Sequence, residues 1–435
     1  MKTNLAVKPI FTHEGGVASH IKPIDELRRT VLACLMWESG FYESGEAVAD
    51  RIKRLVPLCS PHDVADLAIE GREKQRLRHA PLFLIRELAR DSKRCEDGLI
   101  SKTLSRVIQR ADEPAEFLSM YWNGDGRKPI SKQVKKGLAR ALTKFNEYQL
   151  AKYNRDAAVK FRDVLFMVHA KPINDEQAAL WKRLVAGELV VPDTWEVALS
   201  GGADKKEVFE RLLSEGKLGY MALLRNLRNM QSSGVDTALV FKTLMDGAAK
   251  SKALPFRYVA AARAVPMWES QLDAAMQVAT SGLEKLSGRT AVLVDVSGSM
   301  DAQLSAKSDL KRLDAAAALA VLVRGICNEA RIFRFDDKCD EVPARQGMAL
   351  IDAIGKVRGG TNIGAAVKYV RVLWPQMERM IVITDEQSHD SVSAPGCKGY
   401  MLNVANNKNG VGYGDWTHIN GFSESVVQYI AACEG

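Results

Sequence analysis

The chain has 435 residues, 46% of them hydrophobic and 26% charged, the balance of a globular protein of two or three domains and not of a disordered or fibrous one. A net charge of +8 with a pI near 9.0 favours an anionic partner without identifying it. Seven cysteines with no Cys-x-x-Cys pair point to reduced, buried thiols and away from a zinc site or disulfide framework, and the longest apolar stretch, near Ala315, is cut by Arg324 before membrane-spanning length. No cleavable N-terminal signal is visible, so a cytoplasmic protein is expected.

From the N-terminus, amphipathic helices follow one another with almost no strand signal. Helical spacing is predicted over residues 25–36, 47–55, 63–70, 81–89, 102–109, 131–147, 175–186, 205–214 and 220–230. Pro and Gly separate them. Many short helices without strands imply an all-α domain over residues 1–287, and an irregular helical-repeat solenoid fits that pattern. No fixed repeat period emerges.

Charge is concentrated in this helical part. Lys132, Lys136, Arg140 and Lys144 recur every fourth residue and so line one stripe of the predicted 131–147 helix. Leu138, Leu142 and Phe145 face the other way. Lys152, Arg155, Lys160, Arg162, His169 and Lys171 continue the basic run with few acids between them. Such a surface suits a phosphate backbone; a merely solvated helix face is the alternative. A second basic segment holds Arg225, Arg228, Lys250, Lys252, Arg257 and Arg263, with Tyr220, Phe256 and Tyr258 among the charges. Aromatics among arginines can stack unpaired bases, but core placement is the commoner use, and Phe256 is assigned to the core. His169 reads equally as an RNA contact or as a hydrogen-bonded residue at a helix end.

Beyond Gly288 the pattern changes to alternating strands and helices. Strands are predicted at 290–295, 331–335, 380–384, 400–404 and 418–421. Helices are predicted at 315–323, 349–356, 364–373 and 426–432. That alternation implies a doubly wound α/β domain, residues 288–435, with a parallel sheet covered on both faces. Asp295-Val296-Ser297-Gly298-Ser299 ends the first strand, Thr361 follows Gly359-Gly360, and Asp385 ends the third strand. Hydroxyls of Ser297, Ser299 and Thr361, with Asp295 and Asp385 largely through water, form the all-oxygen set that Mg²⁺ prefers, with Mn²⁺ as the other divalent choice. Ligands of open α/β sheets bind beyond the carboxyl ends of the strands, where these residues lie. The plainer reading is that Asp295 and Ser297 satisfy turn and cap hydrogen bonds.

These three pieces, in this order, resemble the metal-ion-dependent adhesion site of a von Willebrand factor A domain. The stretch Gly126-Arg127-Lys128-Pro129 through Tyr153, then Phe161-Arg162-Asp163-Val164-Leu165 to His169-Ala170-Lys171-Pro172, resembles the TROVE module of the Ro autoantigen, telomerase-associated and vault protein families. The segments 220–230 and 254–258 are similar to two further signatures of that module. A TROVE module followed by an A domain is the layout of Ro proteins. The resemblance implies a monomeric ring of HEAT-like helical repeats that binds small noncoding Y-type RNA on its outer surface. It also implies that the hole takes single-stranded 3′ ends of misfolded or 3′-extended RNAs. Lys152, Arg155, Arg162, His169 and Lys171 fall where the outer-surface determinants would lie. A Y-type RNA then tethers the ring to an exoribonuclease, polynucleotide phosphorylase in bacterial relatives, and hydrolysis belongs to that partner.

No catalytic residues are identified. A Walker pattern and His-Glu-x-x-His are both absent, and the Asp295 motif lacks the glycine that a nucleophile elbow needs. Gly410, Gly412 and Gly414 follow no dinucleotide-binding strand. Two functions remain at this stage: a non-enzymatic RNA-binding scaffold in RNA quality control, or a protein-interaction module whose metal grips an acidic partner residue.

Overall fold

The computed structural model describes residues 10–12, 14–18, 21–32, 45–122, 126, 128–154, 157–251, 253, 255–283, 285–304, 310–405, 410–421, 430 and 434. The chain divides into two compact units. One joins Pro23–Val31 to Ala47–Asp193; the other joins Met1–Lys22 and Leu32–Glu46 to Thr194–Gly435. Helical sequence gives way to sheet at Leu286, close to the expected boundary, whereas the compact division falls at Thr194.

Among its described residues the first unit forms helices and no strand. Apolar positions at helical spacing bury one face of each helix: Val64 and Leu67 of Pro61–Glu73, Leu84, Ile85 and Leu88 of His79–Arg90, Ile100 and Leu104 of Leu99–Val107. Helix Lys132–Leu142 lies against Leu99–Val107, and Gly137 permits that approach. A Cβ there would sit 3.0 Å from both Leu104 Cβ and Ser101 O.

The helix predicted over 131–147 is two helices, Lys132–Leu142 and Glu147–Tyr153. Asn146 starts the second with a capping box, its side chain accepting from Gln149 N at 2.9 Å while Gln149 returns a bond to Asn146 N. The break corrects the stripe. Lys144 is still exposed, but its ammonium is occupied, donating to Ser105 O and, at 3.1 Å, to Ile108 O. It satisfies carbonyls at the end of Leu99–Val107.

In the second unit a small hairpin, β1 (Ile10–Phe11) with β2 (Val17–Ala18), precedes a run of helices from Trp195–Ser200 to Glu269–Ser281. The main sheet has β3 (Leu286–Asp295), β4 (Cys327–Phe335), β5 (Cys339–Glu341), β6 (Arg379–Thr384), β7 (Lys398–Asn403) and β8 (Thr417–Asn420), in the order β5-β4-β3-β6-β7-β8. All neighbours are parallel except β4 and β5. The expected parallel sheet is therefore mixed, because the turn at Asp336–Lys338, closed by Lys338 N on Asp336 Oδ1 at 2.8 Å, folds β5 straight back on β4.

Strand alternation splits the core by face. Val292, Val294, Ile381 and Ile383 share a cluster with Leu319 and Val323 of helix Arg312–Ile326, and with Tyr258, Leu272 and Met276 from the preceding helices. Ala291, Leu293, Met380 and Val382 cluster with Val367 and Val370 of helix Ile363–Leu373 and with Trp374. Both faces are covered, as a doubly wound sheet requires. The predicted closing helix at 426–432 lies outside the described residues, apart from Ile430, which is buried.

Five cysteines among the described residues carry free thiols; Cys59 is buried and Cys95, Cys327, Cys339 and Cys397 are partly so. No described helix is long and apolar enough to cross a membrane.

Candidate metal centre and nucleic-acid interface

The chain leaves β3 toward β4 on one side and reaches β6 on the other. The crevice beyond the carboxyl ends of β3 and β6 is thus the switch point, the place where open α/β sheets bind ligands. Asp295 ends β3 and Asp385 follows β6, both fully buried. Ser297 N donates to Asp295 Oδ1 at 2.8 Å, and the Ser297 and Ser299 hydroxyls lie 3.3 Å apart. Thr384 Oγ1 donates to Asp295 Oδ2 at 2.5 Å. Burial, then the nearby charge of Asp385, holds the Asp295 carboxyl well above the usual carboxylate range.

Thr361 is brought to the same end by the glycine loop before it. Gly298 N donates to Gly359 O at 2.9 Å and Arg358 N to Val296 O at 2.7 Å. A Cβ at Gly360 would meet Asp337 Oδ1 at 2.6 Å, and Asp337 Oδ2 accepts Gly360 N at 3.0 Å. A side chain at Gly360 would push the Asp337 carboxylate off this backbone bond. His389 then fixes Thr361, its N–H donating to Thr361 O at 2.9 Å while Thr361 N reaches His389 Nδ1 at 3.1 Å. The N-terminal hairpin steadies that loop: Thr12 Oγ1 donates to Ser388 O at 2.7 Å, and Glu14 lies 3.1 Å from His389 Nε2.

Asp295, Ser297, Ser299, Thr361 and Asp385 lie at this end of the sheet together with supporting residues that sequence alone did not indicate. Arg312, buried at the start of helix Arg312–Ile326, puts Nη1 3.5 Å from Asp385 Oδ2. Glu386, in left-handed backbone with φ +61°, accepts Gly412 N at 2.9 Å and pairs with His418. No local pattern announces these contacts, since each joins residues far apart in sequence.

Two buried carboxylates beside three hydroxyls make an oxygen-only set suited to a hard cation with few charged ligands. Among the described residues no three His, Cys, Asp or Glu side chains gather as a metal cluster. Any ion here would depend on the hydroxyls.

The basic residues sort by unit. In the first, Lys132, Lys136 and Arg140 are exposed on one helix, and none of them makes an ion pair with a described residue. Lys152 is half-buried with Nζ 5.8 Å above the Tyr148 ring, while Arg162 is exposed and lies 3.8 Å from Asp163. His169 and Lys171 are exposed. His169 ends helix Phe161–Val168 in left-handed backbone, φ +53°, with its N–H on the last carbonyls. Arg155 lies outside the described residues. Two exposed aromatics, Tyr148 and Phe166, stand in this stretch and were not singled out from sequence.

In the second unit Arg225, Arg228 and Arg257 are exposed on helices Tyr220–Ser232 and Pro255–Ala264. Arg257 lies 4.6 Å over the Phe256 ring, and surrounding protein, then Arg225, pulls its pKa below the ordinary guanidinium value. Arg228 Nε donates to Ala264 O at 3.4 Å. Phe256 and Tyr258 are buried, so the core reading holds for Phe256 and these rings offer no stacking face. Tyr258 meets the Tyr220 hydroxyl at 3.2 Å, which donates to Leu244 O at 3.0 Å.

The family model for the TROVE domain matches residues 169–322. That segment includes the 220–230 and 254–258 signatures and the end of the motif stretch, His169–Pro172, whereas the part from Gly126 to Leu165 lies before it. Telomerase protein component 1 of Mus musculus is 36% identical over 100 residues, 21% of this chain and 4% of that protein. Its Rattus norvegicus counterpart is 35% identical over 100 residues with the same shares. The chain thus spans only a small part of these curated relatives. The crystal structure of the Deinococcus radiodurans RO (RSR) protein matches with a TM-score of 0.64 at 17% identity, covering 94% of this chain and 99% of that one. The chain is therefore similar to the TROVE domain over residues 169–322 and shares the fold of the Deinococcus RO (RSR) protein.

Proposed function

We propose that this protein is a non-enzymatic RNA-binding scaffold that works in RNA quality control and decay. One observation carries the reading: Lys132, Lys136 and Arg140 present uncompensated positive charge on one exposed helix face of a TROVE-domain chain. Neutralising phosphates releases condensed counterions, so such a face binds RNA without reading its sequence. Tyr148 and Phe166, exposed near Lys152, Arg162 and His169, add flat apolar rings on which unpaired bases can stack. Small noncoding Y-type RNA would take the surface around Lys152, Arg155, Arg162, His169 and Lys171. Single-stranded 3′ ends of misfolded or extended RNAs would occupy a central hole. Cleavage then falls to an exoribonuclease partner of the polynucleotide phosphorylase kind.

A second role belongs to the crevice at β3 and β6, which we propose holds Mg²⁺, or Mn²⁺ in its place. When bound, the ion would supply an open coordination position for an acidic side chain or a phosphate oxygen. Ser297, Ser299 and Thr361 would hold it by their hydroxyls, and Asp295 and Asp385 would orient its waters. This is the adhesion-site arrangement of a von Willebrand factor A domain. It suits capture of a partner protein.

Affinity capture from native lysate tests both roles, with and without nuclease and with and without chelator. Co-purifying RNA that nuclease removes, independent of chelator, supports the scaffold. Capture of a protein partner that chelator alone abolishes, with no RNA recovered, favours an interaction module and rejects the RNA role.

A further inference from the structure

Arg312 occupies the first turn of helix Arg312–Ile326, where the helix dipole disfavours a cation. It is also buried. A guanidinium in that place needs a negative charge to answer it, and Asp385 Oδ2 lies 3.5 Å from its Nη1. Its neighbour Asp314 is already engaged by Arg263, at 2.6 Å from Nη1. The helix start is tied down as well. Arg312 N donates to Ala302 O at 2.9 Å, and Gln303 bridges Lys311, so Arg312 is held beside the Ser297–Ser299 turn.

We propose that Arg312 is a built-in counter-ion of the oxygen-lined crevice, competing with a divalent cation for Asp385 and so setting how weakly the site binds metal. The inference rests on the metal reading of that crevice. Its physical basis is charge balance: a buried carboxylate pair without a cation is costly, and Arg312 supplies one positive charge when no ion is present. With the ion bound, the same charge repels it from one carboxylate away. Arg312 thus acts through Asp385 and positions it; it ligates nothing. The fold is then stable with or without metal, and occupancy follows the ambient Mg²⁺ or Mn²⁺ concentration.

Calorimetric titration of Mg²⁺ and Mn²⁺ into the full chain tests this, with melting temperatures recorded with and without each ion. The variants are Arg312→Gln, Arg312→Lys and, as a site-less control, Asp295→Ala. Removing a unit charge so near a divalent ion is expected to tighten binding by about tenfold or more in Arg312→Gln, even at the dielectric of water. Its melting temperature should climb further on adding metal than the parent's does. Arg312→Lys, which keeps the charge on a shorter, more mobile stem, should show a smaller gain. Simple damage to the site would weaken binding, so the direction of change separates the explanations. Equal affinity in the parent and both variants overturns the proposal while leaving the metal site standing. Absence of binding in the parent and in Arg312→Gln, matching Asp295→Ala, overturns both. Should Arg312→Gln fail to fold, Arg312→Lys decides alone: tighter binding supports the proposal and unchanged binding overturns it.

Discussion

Replacing Arg72 with Met would isolate a charge in the core of the helical unit. Glu113 is fully buried and accepts Arg72 Nη2 at 2.6 Å. Its other oxygen accepts Gln109 N at 2.8 Å and Arg110 N at 3.0 Å, and Arg72 Nη1 also donates to Leu77 O at 3.1 Å. Burial pulls the Arg72 pKa below the ordinary guanidinium value, with Glu113 opposing that shift. Removing one partner of a buried pair costs about 3–5 kcal/mol, because the remaining charge is left without compensation. Arg78 Nε stays 3.7 Å from Glu113 and the two backbone donors remain, so the low end, about 3 kcal/mol, is expected. Glu113→Gln removes the charge yet keeps an acceptor for the backbone. The double variant should therefore be more stable than Arg72→Met alone by about 1 kcal/mol or more. Urea denaturation followed by helical circular dichroism gives each midpoint. A loss below about 1 kcal/mol for Arg72→Met, or a double variant no better than it, would show that Glu113 is not left as an uncompensated buried charge.

Other consequences follow from single groups. Burial by itself would raise the Glu434 carboxyl, but hydrogen bonds from Arg379, Lys398 and Tyr400 hold it down at about 2. Its stabilisation is complete above the ordinary carboxylate pKa and is lost as pH falls toward about 2. Glu434→Gln should cost about 1–2 kcal/mol at neutral pH after allowance for solvent screening, and the deficit should vanish in an acid melt series. Burial pushes the Cys59 thiol up to about 11 and the Cys339 thiol to about 12. Both should react with a thiol reagent at neutral pH at least about a hundredfold more slowly than a free cysteine, as mass mapping of the modified sites would reveal. Asp295→Ala is expected to erase divalent-metal binding in calorimetry while leaving RNA affinity unchanged; retained metal binding would move the ion elsewhere.

Much of the oxygen-lined crevice was legible because each of its parts sits where the chain punctuates itself. Asp295 and Asp385 close strong apolar runs, and Gly359-Gly360 marks the turn that carries Thr361. Strand type followed from the same runs, and helix type from apolar spacing. What escaped was decided by contacts distant in sequence or by short local signals. Arg312 meets Asp385 across the crevice, and nothing near either residue announces it. β5 has three residues, two of them acidic, too brief for an alternation to register. The break before Glu147 did have a local sign, Asn146 with Gln149 three residues on, but the four-residue recurrence of basic side chains ran through it. Lys144 kept the spacing and its exposure, but its ammonium is taken up by its neighbour's carbonyls. Aromatics divided by burial: Phe256 and Tyr258 went to the core, while Tyr148 and Phe166 stayed outside.

In the proposed function, exposed cations on helix Lys132–Leu142 and its neighbours hold RNA by its phosphates. Fluorescence anisotropy of a labelled Y-like RNA and of a single-stranded 3′ tail, titrated with the full chain across a salt series, measures this directly. Affinity for the single strand should fall with a log–log slope of about −0.7 for every phosphate neutralised. Changing Lys132, Lys136 and Arg140 together to Ala should make the slope shallower by about 2 and weaken binding at low salt. Binding that ignores salt, or a triple variant whose slope and affinity match the parent's, would mean that these cations do not hold the RNA.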